Sequence, residues 1–329
     1  MSSSIQGASL TAQSASSLAH FPVPLFSSVM GMAGLAIAWH KAHAVLGAPA
    51  FIGDAIRLLA TLLFILLAAV YVLKWLRHPD AALAEANHPV RINFLSTISI
   101  GILLLATAWL DTAPMAAALL WAVGAIAHLV LTVRTINSWI HHSHYDIKHV
   151  NPAWFIPVVG NIIVPIAGVR IASPEISWFF FSIGIVFWIV LLSIVMNRLF
   201  FQEQLPVRLM PTLFILLAPP SVGFLAWTAL SGGIDAFGRV LFYTAVFLAL
   251  LLASSAFRFL RQPFFISAWA YSFPLAALTV ATFVMAEHAG GTVLAAVAVA
   301  LLTILTMVIT LLAARTAIAV QRRQICVPE

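Results

Sequence analysis

Charged side chains are scarce in this chain: aspartate, glutamate, lysine and arginine together make up 8% of 329 residues, against roughly 25% in ordinary soluble domains. So few charges cannot close a water-facing surface around a chain of this length, which excludes a soluble globular protein. Cysteine is scarcer still. Cys326, close to the C-terminal end, is the single one, so no internal disulfide and no cysteine-based metal site can form. Also missing are a phosphate-binding loop, a nucleophile elbow and any pair of carboxylates spaced for acid–base work. Nothing therefore points to an enzyme or to a cofactor. Residues 1–20 are rich in Ser and Ala and hold no Lys or Arg. A secretory signal needs a positive leading segment, so 1–20 reads as a disordered tail ahead of an uncleaved first span.

What is abundant is apolar surface, at 63% of residues. It falls into ten stretches, at 24–43, 55–76, 92–110, 114–138, 153–171, 175–197, 209–230, 238–259, 264–286 and 290–314. Most reach the ~20 residues that a helix needs to cross a bilayer. The expected fold is all-α, an integral membrane domain over 21–321 with a short tail at 322–329 and no inserted soluble domain. The net charge of +6 and the pI near 10.1 suggest basic loops on the cytoplasmic side rather than a nucleic-acid surface. With the N-terminus inside, that side receives Lys74, Arg77, Arg91, Arg134, Lys148, Arg198, Arg208, Arg258, Arg261, Arg315, Arg322 and Arg323. The other side receives Lys41, Arg57, Arg170 and Arg239. Twelve against four places both termini in the cytoplasm.

A repeat is written in the prolines. Each odd-numbered stretch is preceded or opened by one: Pro22 and Pro24, Pro89, Pro152, Pro206, Pro263. Several odd stretches also carry prolines inside, namely Pro157 and Pro165, then Pro211, Pro219 and Pro220, then Pro274. The third offers only Gly101, and the even stretches have proline only at their starts, Pro114 and Pro174, where the missing N–H costs nothing. An interior proline removes a backbone hydrogen bond and kinks the helix. Within a membrane, such backbone survives only where protein shields it or where it lines a watery cavity. Kinked odd spans inside and straight even spans outside satisfy both conditions, although proline is also simply commoner in membrane helices.

Five motifs in order carry a resemblance. They are Pro22-Val23-Pro24 leading to Gly31-Met32-Ala33-Gly34-Leu35-Ala36; His88-Pro89-Val90-Arg91 with Asn93-Phe94; and Pro152-Ala153-Trp154-Phe155-Ile156-Pro157-Val158-Val159-Gly160-Asn161. Pro211-Thr212-Leu213-Phe214 with Ala218-Pro219-Pro220-Ser221, and Trp269-Ala270-Tyr271-Ser272-Phe273-Pro274, complete the set. Together they resemble the TehA, or tellurite-resistance/dicarboxylate transporter, family, which includes the slow anion channel of plant guard cells. The resemblance implies five helical hairpins in a quasi-fivefold arrangement, odd helices lining one pore per subunit, and a homotrimer in the plasma (bacterial inner) membrane. It also implies that Phe273 plugs the pore.

Phe273 precedes Pro274, and that neighbour biases a residue away from regular helical geometry. A large apolar side chain at such a bend closes a narrow pore by excluding water; equally, Phe273 is one of 23 phenylalanines and the residues alone also allow plain packing. Pro157, Pro165 and Pro219 mark the other bends. Arg91, Lys148, Arg208 and Arg261 stand at the starts of spans three, five, seven and nine, where they would ring a pore mouth and concentrate anions. The positive-inside rule puts basic residues there in any case. Asn93, Ser96, Thr97, Asn161, Ser221, Ser272 and Thr279 lie on odd spans and offer polar groups to an anion. Away from the span ends, His128 is the one ionisable side chain, so proton relays and fixed-charge binding sites have no other member. His141, His142, His144 and His149 cluster after span four, but no carboxylate or cysteine fixes a metal geometry, and a solvated loop is expected. These readings converge on a passive channel for small anions such as chloride or nitrate. The alternatives are a carrier of C4-dicarboxylates such as malate, a sulfite exporter, or a tellurite-resistance transporter.

The topology is testable by reporter fusions. Fusions after His144 and after Glu329 are expected to report cytoplasm, and one after Gly233 the opposite side; an odd number of crossings between His144 and Glu329 would break the hairpin repeat.

Overall fold

The computed structural model describes residues 17–142 and 145–327. The tail expected at 1–20 therefore falls largely outside the described residues, as does His144. Among the described residues all regular structure is helical. Ten spans are long and apolar enough to cross a membrane: Val23–Leu46, Ala50–Arg77, Ile92–Trp109, Pro114–His141, Pro152–Ile171, Pro174–Phe201, Val207–Ser231, Ala236–Ala253, Ile266–Ala289 and Thr292–Gln321. The chain is an integral membrane protein. Helix is forced on these runs because hydrocarbon offers no partner to a free N–H or C=O.

The odd spans form the interior. Their cores are 61–89% buried against 22–33% for the even spans. Span one packs on spans three and nine, three on five, five on seven, and seven on nine, so the odd spans close a ring. Each even span leans chiefly on odd neighbours from outside, turning residues such as Leu66, Val133, Ile189 and Met307 outward. Glycines in the left-handed region end three of the inner spans, Gly47 at φ 71°, Gly232 at φ 73° and Gly290 at φ 66°, a conformation that a Cβ would disfavour.

The prolines act differently from simple kinks. Four of the five odd spans begin as 3-10 helix and change to α: at Val23–Phe26, Pro152–Phe155, Val207–Leu217 and Ile266–Tyr271. Pro157, Pro165, Pro219 and Pro274 each fall within the first three residues of a new α segment, where the missing N–H has no partner to lose. The bend expected at each proline is thus a change of helical pitch. Span three, with Gly101 and no interior proline, is unbroken α-helix. Span five is the most irregular, alternating 3-10 and α four times. Side chains of span four meet its carbonyls: Thr132 Oγ1 lies 2.6 Å from Pro157 O, and Trp121 Nε1 donates to Val164 O at 2.9 Å.

Three boundaries depart from the sequence reading. Span two begins at Ala50 rather than near 55, and span ten runs on to Gln321. Span eight stops at Ala253, where Ser254 Oγ donates to Leu251 O at 2.7 Å and competes with continued helix. A short helix, Ala256–Leu260, follows it. The hairpin joining spans seven and eight is tied by Asp235, whose carboxylate accepts from Gly238 N at 2.8 Å and Trp227 Nε1 at 2.7 Å. Those bonds hold its carboxyl below the usual carboxylate range, so this contribution is present above the unfolded-state value and fades as pH falls through the lower folded one.

The connection between spans two and three holds a helix at Pro79–Asn87 that carries Glu85 inward. Glu85 and Lys74 form an ion pair of 2.7 Å with side chains only 3% exposed. Lys74 Nζ also donates to Phe21 O at 2.7 Å, Tyr71 Oη to Glu85 at 3.3 Å, and Val23 N to Glu85 at 3.0 Å. The pair thereby fastens the entry of span one to span two. Lys74→Met leaves Glu85 buried without its cation, and is expected to lower stability by about 3–5 kcal/mol. Adding Glu85→Leu should recover part of that loss, as read by thermal unfolding of the purified protein in detergent.

Candidate functional site

The ring of odd spans encloses a narrow cavity of about 50 Å³, space for a few waters at most. Every residue of its wall comes from an odd span. Span one supplies Ser27 and Met30; span three supplies Phe94, Thr97 and Ile100. Span five gives Phe155, Ile156, Val159, Gly160 and Ile163, and span seven gives Ile215, Ala218, Pro219 and Val222. Span nine closes the wall with Trp269, Ala270, Phe273 and Pro274. Most of these lie in the first half of their span, where 3-10 and α segments meet. No charged side chain lines the cavity among the described residues, and Ser27 and Thr97 bring the only side-chain hydroxyls.

Phe273 is half-buried and lines this space. Pro274 and Pro219 share the wall, whereas Pro157 and Pro165 are buried within span five and do not line it. Lys148, Arg208 and Arg261 are exposed and Arg91 is half-buried. All four sit at the same, opening end of their odd spans, outside the cavity wall. Lys148 pairs with Asp146 at 3.3 Å in solvent. His141 and His142 are exposed, and no group of three His, Cys, Asp or Glu side chains among the described residues is placed to hold a metal.

The polar residues expected to face an anion turn elsewhere, apart from Thr97. Ser221 Oγ donates to Leu217 O at 2.8 Å, Thr279 Oγ1 to Leu275 O at 2.7 Å and Ser272 Oγ to Trp269 O at 2.6 Å. Asn161 Nδ2 donates to Thr132 Oγ1 at 2.9 Å, and Asn93 and Ser96 are fully buried away from the cavity. In an apolar medium a hydroxyl finds its own helix carbonyl more readily than an open channel. The wall residues that sequence reading missed, Phe94, Ile100, Val159 and Ile163 among them, do carry a signal. They recur at spacings of three or four, as in Phe94–Thr97–Ile100, which is one helical face.

Span one approaches span nine very closely beside the aromatic ring. A Cβ at Gly31 would lie 2.6 Å from Ser272 Cβ, and one at Gly34 would lie 2.8 Å from Ala276 Cβ and 3.6 Å from Phe273 Cδ2. The two glycines therefore set how near Phe273 stands to the wall opposite.

Ten apolar spans, five of them surrounding a narrow cavity with no charged side chain in its wall among the described residues, define an integral membrane protein. The chain belongs to the SLAC1 family, described as voltage-dependent anion channels, whose profile matches residues 20–317. The chain is similar to the S-type anion channel SLAH3 of Arabidopsis thaliana, 29% identical over 302 residues, covering 89% of this chain and 47% of that protein. It is 26% identical over 287 residues to the guard cell S-type anion channel SLAC1 of the same plant, covering 83% and 51%. A tellurite resistance protein TehA homologue of Haemophilus influenzae is 24% identical over 263 residues, covering 78% of this chain and 80% of the relative. The chain spans about half the length of these plant relatives.

Gly31→Ala is expected to force spans one and nine apart at a cost of about 1–3 kcal/mol, and Ser272→Gly in the same chain should relieve most of it. Thermal unfolding of the single and double variants measures the coupling.

Proposed function

We propose that the protein is a passive channel for small anions such as chloride or nitrate, with Phe273 as its gate. One observation carries this reading: the cavity wall is drawn from all five odd spans, holds Phe273 and contains no charged side chain among the described residues. Moving an ion into a medium of low dielectric costs on the order of 20 kcal/mol in the idealised limit. A constriction of this size and polarity therefore excludes ions while the ring stays in place. Removing the ring lets water in and lowers that barrier.

An uncharged wall binds no anion tightly and so lets each one leave. Weakly hydrated anions pass most easily, because stripping their water costs least. Lys148, Arg208 and Arg261, with Arg91, raise the local anion concentration at the mouth. Their fields reach only about 8 Å at physiological salt, so they act on capture and not on transit. The closed ring of odd spans supports a quasi-fivefold pore within each subunit. The many outward apolar side chains of the even spans suit contact with lipid and with neighbouring subunits in a homotrimer. We place the channel domain at 21–321 in a bacterial inner membrane, both termini cytoplasmic, on the distribution of Lys and Arg.

Phe273→Ala reconstituted in liposomes is expected to carry chloride and nitrate current at least about tenfold above the intact chain. The current should reverse near the anion's equilibrium potential, and collapsing a pH gradient should leave it unchanged. Near-zero current in a well-folded Phe273→Ala protein would remove the gate, and proton-driven uptake of malate against its gradient would establish a carrier instead.

A further inference from the structure

His128 is a titratable side chain that the pore does not touch. It lies midway along span four with no exposed surface. Its Nδ1 is 2.8 Å from Ser99 Oγ on span three, while its Nε2 has no hydrogen-bond partner. That nitrogen points at span five. A Cβ at residue 160 would lie 2.5 Å from His128 Nε2 and 2.8 Å from Ile100 Cδ1, so the imidazole occupies the place of the side chain that Gly160 lacks. Gly160 is at the same time part of the cavity wall. One residue of backbone thus has the pore on one side and the imidazole on the other.

One turn along span four, Thr132 reaches the same stretch. Its hydroxyl lies 2.6 Å from Pro157 O and accepts from Asn161 Nδ2 at 2.9 Å. Span five is here at its weakest as a helix, passing from α at Ile156–Val159 to 3-10 at Gly160–Ile163. A 3-10 turn has poorer hydrogen-bond geometry and marks a place where a helix shifts easily. The wall residues Val159, Gly160 and Ile163 belong to this stretch; span four backs it with His128 and Thr132, and span six packs against it where Gly184 meets Ile162.

We infer that His128 is a positioning residue of the anion pathway: seated in the hollow of Gly160, it fixes how far the span-five wall stands into the pore, and so sets the size of anion that passes. The inference rests on the pore reading above. The imidazole acts through its volume and through its bond to Ser99, and it contacts no permeating ion. Two consequences follow from the geometry. Shrinking the ring lets the wall relax away from the pore. Adding a methyl at Gly160 against an intact ring drives the wall inward, since span four stands behind the imidazole.

The test is a double-mutant cycle in the Phe273→Ala background, reconstituted in liposomes and checked for folding by monodispersity and melting temperature. Nitrate and chloride serve as probes, and their current ratio is the readout, because a loss of folded protein lowers both currents without changing the ratio. His128→Ala, with His128→Gln as the second variant should the first fold poorly, is expected to bring the ratio toward one. Gly160→Ala is expected to shift it the opposite way by about threefold or more, and the His128→Ala/Gly160→Ala pair to return close to the background value. A ratio indifferent to His128 substitution, or singles whose effects merely multiply in the pair, would overturn the inference while leaving the pore intact. No current in the Phe273→Ala background itself would instead overturn the pore reading, and this role with it.

Discussion

The constraint on which the architecture depends is that a peptide group inside a membrane must find its hydrogen-bond partner within the protein. Five spans of this chain meet it in the ordinary way, as long unbroken helices open to lipid. Of the other five, spans five, seven and nine carry interior prolines and cannot. They solve the problem by starting new α segments at the prolines, bridged by 3-10 turns, and by borrowing donors from neighbours such as Thr132 and Trp121. Irregular backbone of that kind needs shielding, and these spans accordingly turn inward. Proline thus accounts for the inward place of spans five, seven and nine, while spans one and three complete the inner ring without an interior proline.

The same constraint explains the character of the cavity. A side-chain hydroxyl in an apolar interior is held by the nearest carbonyl, usually four residues back on its own helix, as in Ser221 and Thr279. Such groups are spent on the helix and do not face the cavity. The wall that remains is built mostly from Phe, Ile, Val, Ala and Pro. Charge is kept to the ends, in the solvated Lys148, Arg208 and Arg261 at one face and in the buried Lys74–Glu85 pair that fastens span one. The shape of a cavity this narrow changes with small displacements of its apolar wall. That gives the close approaches at Gly31, Gly34 and Gly160 their importance.

Much of this was legible in the residues themselves. Ten crossings follow from apolar runs whose length is dictated by the bilayer. The inward place of spans five, seven and nine follows from the contrast between Pro157, Pro165, Pro219, Pro220 and Pro274 on odd spans and Pro114 and Pro174 at the starts of even ones. Phe273 could be singled out beside Pro274, and it stands in the cavity wall. These features are local: each depends on one run of sequence and on the solvent around it.

What only the tertiary structure decided concerns relations between distant segments. Glu85, in a stretch that reads as a polar loop, is carried by its own short helix into contact with Lys74, and nothing in the spacing of the two announces a buried pair. Asn93, Ser96 and Asn161 sit on inner spans yet face away from the cavity, because orientation about a helix axis is set by the neighbours packed against it. His128 reads as an isolated polar residue on an outer span, and its meeting with Gly160 depends on how spans four and five cross. The sequence by itself determined which segments enter the membrane and which of them must be shielded, since both depend on the backbone and its solvent. Which side chains meet across the ring was left to packing, because a close fit is a property of two surfaces and neither contains it alone.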